Sequence, residues 1–173
     1  MKKIFALAVV AATFISSIAI AQEDKSKRPS PPAKAEATVQ NGTVISFDYS
    51  QPSVKGRTVG KDLEPKDGQV WRTGANEATV FEVSKDVKVE GQTLKAGKYG
   101  FFTLVDGDNW TIIFNKTWKQ WGAFTYKEAD DVLRVKVKSS KLNPASEKFT
   151  IVADKSGKVT LKWSDIAVAF NVQ

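Results

Sequence analysis

The chain has 173 residues, with neither histidine nor cysteine, and its 26 Lys and Arg against 19 Asp and Glu give a formal net charge of +7. That length suits one ordinary domain with a core of its own, since domains of roughly 100–150 residues are the commonest. The missing residue types exclude Ser-His-Asp triads, thiol nucleophiles, disulfides, iron–sulfur clusters and His/Cys zinc sites.

The first 21 residues have the layout of an export signal. Lys2 and Lys3 make a positive start, Ile4 to Ile15 is apolar apart from Thr13, and Ala19-Ile20-Ala21 presents small residues where a signal peptidase reads them, which predicts cleavage before Gln22. The apolar run is shorter than the roughly 20 residues that span a bilayer, so a transmembrane helix is the weaker expectation. Residue 22 is glutamine, which offers no thiol for a lipid anchor. The expected product is a soluble periplasmic or secreted chain, 152 residues long once 21 of the 173 are removed. Without the two leader lysines, 24 basic residues face 19 acidic ones, a net of +5 spread along the chain. A solvated surface is the default for such a balance, with a glycan, a small anionic ligand or an envelope protein as the partners that an exported domain of this charge would meet. The exported compartment disfavours nucleic acid.

Residues 22–35 (QEDKSKRPSPPAKA) are polar and carry prolines at 29, 31 and 32, which predicts a disordered linker, because so little apolar surface cannot offset the entropy of ordering. The folded domain is expected over 36–173. There, apolar residues alternate with period two: Ile45, Phe47 and Tyr49; Phe81 and Val83; Val87 and Val89. Tyr99 to Val105 is almost wholly apolar and predicts a strand covered on both faces. After Asp106-Gly107-Asp108-Asn109, Trp110 to Phe114 completes a predicted hairpin. Leu133, Val135 and Val137 alternate with Arg134, Lys136 and Lys138. Phe149, Ile151 and Ala153 are followed, past Lys155-Ser156-Gly157, by Val159, Leu161 and Trp163, and Ile166 to Val172 reads as a last strand. Nine or ten short strands with frequent turn signals predict an all-β antiparallel β-sandwich. The long connections Gln51–Gly68 and Asn115–Asp130 are where a site is expected, since function concentrates in long loops of short-looped domains.

The most distinctive stretch is Val70-Trp71-Arg72-Thr73-Gly74-Ala75-Asn76-Glu77-Ala78-Thr79. A turn at Gly74 would display Arg72, Asn76 and Glu77 at its rim, where the arginine fork suits a carboxylate, phosphate or sulfate and the glutamate suits acid–base work if burial raises its pKa. The simpler expectation is an Arg72–Glu77 ion pair that pins the turn. Asp48, Tyr49 and Arg57 lie in the neighbouring run DYSQPSVKGR, and Trp118 and Trp121 in the second long connection. Exposed indoles beside amides hold sugars, although large loop aromatics also fold back to plug a sandwich, and at least one of these two is expected to do so. Asp106, Asp108 and Asn109 fit a plain turn better than a calcium loop, which needs greater length and a downstream glutamate, so no metal and no cofactor is expected.

The runs DYSQPSVKGR (48–57), VWRTGANEAT (70–79), LKAGKYGFFTL (94–104), WTIIFNK (110–116), QWGAF (120–124) and DVLRVKV (131–137) together resemble an exported bacterial family catalogued as domain of unknown function twenty-nine-eleven. The resemblance implies an exported β-rich protein and supplies no catalytic residues. With no nucleophile–base pair in view, the expected function is a non-catalytic binding module for an envelope component, glycan or protein partner. The alternative is a small enzyme acting on a sugar or small acid, with Glu77 or Asp48 as acid or base and Arg72 as the anion clamp. The candidate ligand-binding residues are therefore Asp48, Tyr49, Arg57, Trp71, Arg72, Asn76, Glu77, Trp118 and Trp121.

Overall fold

The structure, a computed structural model, describes residues 24–173; the predicted export signal and its cleavage site lie outside them. Among the described residues no helix is long and apolar enough to cross a membrane, and the only helical elements are single 3-10 turns at Lys25–Lys27 and Glu128–Asp130. The rest is the predicted antiparallel β architecture. Its strands are β1 (Pro32–Thr38), β2 (Val44–Ser50), β3 (Val70–Trp71), β4 (Thr79–Val83), β5 (Val87–Val89), β6 (Gln92–Leu94), β7 (Gly97–Asp106), β8 (Asn109–Asn115), β9 (Asp131–Ala153) and β10 (Lys158–Asn171).

The main sheet runs β1-β2-β4-β7-β8-β9-β10, while β5 and β6 form a separate ribbon. The short strand β3 pairs with β7 at Val70↔Leu104 and Trp71↔Thr103, and β4 pairs with the same strand from Thr79↔Phe101 onward. Strands β3 and β4 thus lie end to end along one side of β7. The signature loop, residues 72–78, is the excursion between them, and this placement decides what it can touch.

Two strands are not short. The alternating runs predicted at Leu133–Val137 and Phe149–Ala153 belong to one strand of 23 residues, β9, and the last two predicted strands merge into the 14 residues of β10. Alternation lapses between the runs, but β10 pairs with β9 at residues 139–141, 146 and 150–153, with register shifts flanking Ser164, which takes a φ of 53°. Such bulges bend a ribbon. The far half of this one folds back over the sheet, where Phe149 N–H donates to Pro52 O at 2.9 Å and Ile151 N–H to the Tyr49 hydroxyl at 3.2 Å.

The sheet and its folded-back ribbon enclose an aromatic core. Phe47, Phe81, Phe101, Phe114 and Phe170 are fully buried and meet at ring-centre distances of 4.9–6.4 Å, mostly edge to face. Phe149 joins Tyr49, Trp71 and Trp163 at 5.7, 5.1 and 6.0 Å. Each such pair contributes about 0.5–1.5 kcal/mol beyond area burial. As expected, β7 is covered on both faces: a smaller cluster of Ala78, Phe102 and Ile113 lies outside the core, under Ala123 and Tyr126 of the 116–130 loop.

The described part of the segment expected to be a linker is held in place. Asp24 caps the first 3-10 turn, Lys25 and Arg28 pair with Glu77, and β1 begins at Pro32, opposite Ser50. Composition alone misses this, because the segment is ordered by partners from β2 and the signature loop. Its prolines are compatible with an edge strand, where a missing N–H breaks no ladder bond.

Candidate functional site

The signature loop is held by its own small polar residues. Thr79 Oγ1 donates to Thr73 O at 2.7 Å, Thr73 Oγ1 meets Thr103 Oγ1 at 3.1 Å, and the Trp71 indole N–H donates to Gly74 O at 3.1 Å. Thr73 and Asn76 adopt φ of 52° and 57°. Gly74 passes so close to β2 that a Cβ there would stand 3.0 Å from both Ser50 O and Thr79 Oγ1. Asn76, predicted at the rim, instead donates from Nδ2 to Ser30 O at 3.0 Å and ties the loop to the N-terminal segment.

The expected Arg72–Glu77 pair does not form. Glu77 Oε1 accepts from Lys25 Nζ at 2.8 Å, and Arg28 Nη1 bonds both its oxygens at 3.1 and 2.9 Å. Among the described residues Arg72 makes no hydrogen bond or ion pair, and its Nε is buried without a partner. Positive φ at Thr73 and Asn76 turns the chain twice between residues 72 and 77 and parts the two side chains: Glu77 meets Lys25 and Arg28, while Arg72 Nη1 lies against Gly122, where a Cβ would stand 3.1 Å from it. Burial raises the Glu77 carboxyl, but the hydrogen bonds from Lys25 and Arg28 outweigh it and hold the pKa down to about 2. Burial acts the other way on Arg72, lowering its pKa, with Glu64 opposing.

On the Glu77 side, the second long connection docks against the signature loop. Ala78 N–H donates to Gln120 O and Gly122 N–H to Asn76 O, both at 3.0 Å, and Glu77 and Trp121 form an isolated antiparallel bridge. The aromatic that plugs is Tyr126. Its ring lies 5.1 Å from Phe102, and its hydroxyl donates to Asp131 Oδ2 at 2.6 Å. Trp118 and Trp121 remain 38% and 53% exposed, against the expectation that one of them would fill the core. They border a groove of about 480 Å³ together with Lys25, Glu77, Val80 and Gln120. Lys98 Nζ lies 5.1 Å from the Trp118 ring and the Arg28 guanidinium 5.7 Å from the Trp121 ring, within the reach of cation–π attraction.

Arg72 lines a smaller recess of about 200 Å³, walled by Pro52, Leu63, Trp71, Ala75 and Trp163, with Ser30, Arg57 and Glu64 also in its lining. Arg57 is anchored through Nε to Val54 O at 3.1 Å and through Nη2 to Ser53 O at 2.8 Å. Trp71 is 2% exposed and Tyr49 7%, so both serve mainly the core. Asp48 is exposed on β2 opposite Lys34 and away from Arg72's recess. Of the nine candidates, Glu77, Trp118 and Trp121 border the groove, Arg57, Trp71 and Arg72 line the recess, Asp48 and Tyr49 share a third hollow with Lys25 and Glu77, and Asn76 ties the loop to Ser30. Lys25, Arg28, Glu64 and Trp163 have no signal in the sequence: two lie in a stretch of linker composition, one in a polar connection and one in an ordinary strand alternation. Among the described residues no three His, Cys, Asp or Glu side chains are grouped to hold a metal ion.

Residues 30–172 match the family described as protein of unknown function (DUF2911). The chain belongs to this family. No curated protein and no solved structure matches it. The DUF2911 match starts two residues before β1 and ends one residue past β10, so it takes in both sides of the signature loop and excludes Lys25 and Arg28.

Proposed function

We propose that this DUF2911 domain is a non-catalytic binding module, periplasmic or secreted after removal of residues 1–21, and that it holds a saccharide of the cell envelope in the groove beside Trp118 and Trp121. The carrying observation is the pair of exposed indoles on a loop fixed at both ends, by its backbone bonds to residues 76 and 78 and by Tyr126 on Phe102. A sugar presents C–H faces that stack on indoles and hydroxyls that need donors and acceptors, and Gln120, Lys25 and Glu77 supply both at the groove's edge. The volume of about 480 Å³ falls within the roughly 300–1,000 Å³ usual for small-molecule sites. Because the loop is already pinned, little ordering entropy opposes binding.

The enzyme reading has less support. It requires Glu77 or Asp48 to work beside Arg72, whereas Glu77 is ionised between Lys25 and Arg28 and Asp48 lies away from the arginine. A general acid or base with a pKa near 2 is badly matched to neutral pH. The test is tryptophan fluorescence of the full exported chain titrated with soluble oligosaccharides of hexoses and of N-acetylhexosamines. Saturable quenching by at least one of them, weakened tenfold or more in both Trp118→Ala and Trp121→Ala, is expected. A flat response to the whole panel overturns the proposal.

A further inference from the structure

Arg72 poses a problem that the saccharide reading leaves untouched. Arg72 is half-buried, its Nε is shut away from solvent, and among the described residues it makes no hydrogen bond or ion pair, Glu64 attracting it only from beyond ion-pair distance. A buried charge without a partner is costly, and proteins as a rule pair it, hydrogen-bond it or leave it for a ligand. Arg72 does not stand alone in its recess. Arg57 lines the same space, held by two backbone carbonyls through Nε and Nη2, which leaves Nη1 uncommitted. The only carboxylate of the lining belongs to Glu64, and its Oε2 accepts from Lys66 N–H at 3.0 Å without reaching ion-pair distance of Arg72. Two arginines thus line the recess with one carboxylate, whose Oε2 already accepts a backbone N–H.

The walls are of the opposite character. Pro52, Leu63, Ala75, Trp71 and Trp163 are apolar, and both indole N–H groups are engaged elsewhere, Trp71 with Gly74 O at 3.1 Å and Trp163 with Glu64 O at 2.7 Å. They therefore offer carbon surface, and Ser30 brings the one hydroxyl of the lining. A cavity of about 200 Å³ corresponds to six or seven waters at about 30 Å³ each, enough for an acid with a small flat body and too little for an oligosaccharide.

We infer that the recess between the 51–68 connection and the signature loop is a second binding site, which takes a small carboxylic acid with an apolar body, its carboxylate on the Arg72 fork and its carbon skeleton against Trp71 and Trp163. The fork has the geometry for bidentate carboxylate binding, and the dry walls select against fully hydrated oxyanions such as phosphate. The recess and the indole groove are neighbours, since Arg72 Nη1 also lies beside Gly122 of the 116–130 loop, but neither reading requires the other.

The test is two-dimensional NMR of the five indole N–H signals, with benzoate as probe, benzamide as its neutral isostere and inorganic phosphate as an anion without an apolar body. Benzoate is expected to shift the Trp71 and Trp163 signals saturably and to leave Trp118 and Trp121 in place, with benzamide and phosphate at least tenfold weaker. Arg72→Gln should weaken benzoate tenfold or more, and Arg72→Lys, which keeps the charge and loses the fork, should fall between. If Arg72→Gln does not fold, Arg57→Gln serves instead, with an expected loss of threefold or more. Equal shifts by benzoate and benzamide, tighter binding of phosphate than of benzoate, or no movement of the two signals at tens of millimolar would each overturn the inference. Oligosaccharide quenching at Trp118 and Trp121 is read separately, so failure of one site is distinguishable from failure of the other.

Discussion

Glu77 shows how one residue can be chemically conspicuous and still have a structural occupation. Its carboxylate joins the N-terminal segment to the signature loop through Lys25 and Arg28. Since its folded pKa of about 2 lies below the ordinary 4.5, the stability it confers is fully present above pH 4.5 and is lost as the pH falls from there toward 2. The side chain is 37% exposed, so solvent screening limits the effect to about 1 kcal/mol. Urea unfolding of the parent and of Glu77→Gln at pH 6 and pH 2.5 should show a gap of that order at pH 6 that shrinks at the lower pH. A gap that stays constant across this window would remove Glu77 from the role.

At the scale of elements, the 116–130 loop separates two duties that its sequence runs together. Tyr126 and Ala123 bury the outer face of β7 and β8, and Asn115 secures the loop's base by donating from Nδ2 to Lys127 O at 3.0 Å and to Asp131 Oδ1 at 2.8 Å. Arg134 Nη1 donates to the Asp131 oxygen that also accepts from Tyr126, at 2.8 Å. Removing Tyr126, which is half-buried, uncovers Phe102 and takes one of the hydrogen bonds that Asp131 accepts, so Tyr126→Ala should cost about 2–3 kcal/mol. Trp118→Ala and Trp121→Ala should each cost less than about 1 kcal/mol, as exposed positions do. Thermal melts of the three variants check the ordering, and a tryptophan variant that melts as low as Tyr126→Ala would return that indole to the core.

For the whole molecule, the decisive feature is the β9–β10 ribbon that leaves the sheet and folds back over it. Phe149 is the contact that joins the two parts, since it meets Tyr49, Trp71 and Trp163 and its N–H bonds to Pro52 O. With one shared core the chain should unfold as a unit. Phe149→Ala is expected to lower stability by about 3–5 kcal/mol while the tryptophan fluorescence and far-ultraviolet dichroism transitions in urea remain coincident. Transitions that separate in the parent protein would mean that ribbon and sheet are distinct folding units.

The residues by themselves determined the strand chemistry. Alternation at Ile45-Phe47-Tyr49 and Leu133-Val135-Val137, together with the Asp106-to-Asn109 turn, sufficed for an antiparallel β fold, because period-two burial and tight turns are local properties. The doubly apolar run from Tyr99 to Val105 correctly implied cover on both faces. Only the tertiary structure decided which elements are continuous and which side chains meet. Polar residues 139–141 and 146 stay in the ladder because β10 pairs with them, and residues 24–31 are held by Glu77 and Asn76, partnerships that composition does not encode. The same holds at the site. Arg72 and Glu77 are five residues apart, but the positive φ of Thr73 and Asn76 parts them, so that Glu77 borders the groove with Trp118 and Trp121 while Arg72 lines the recess with Arg57.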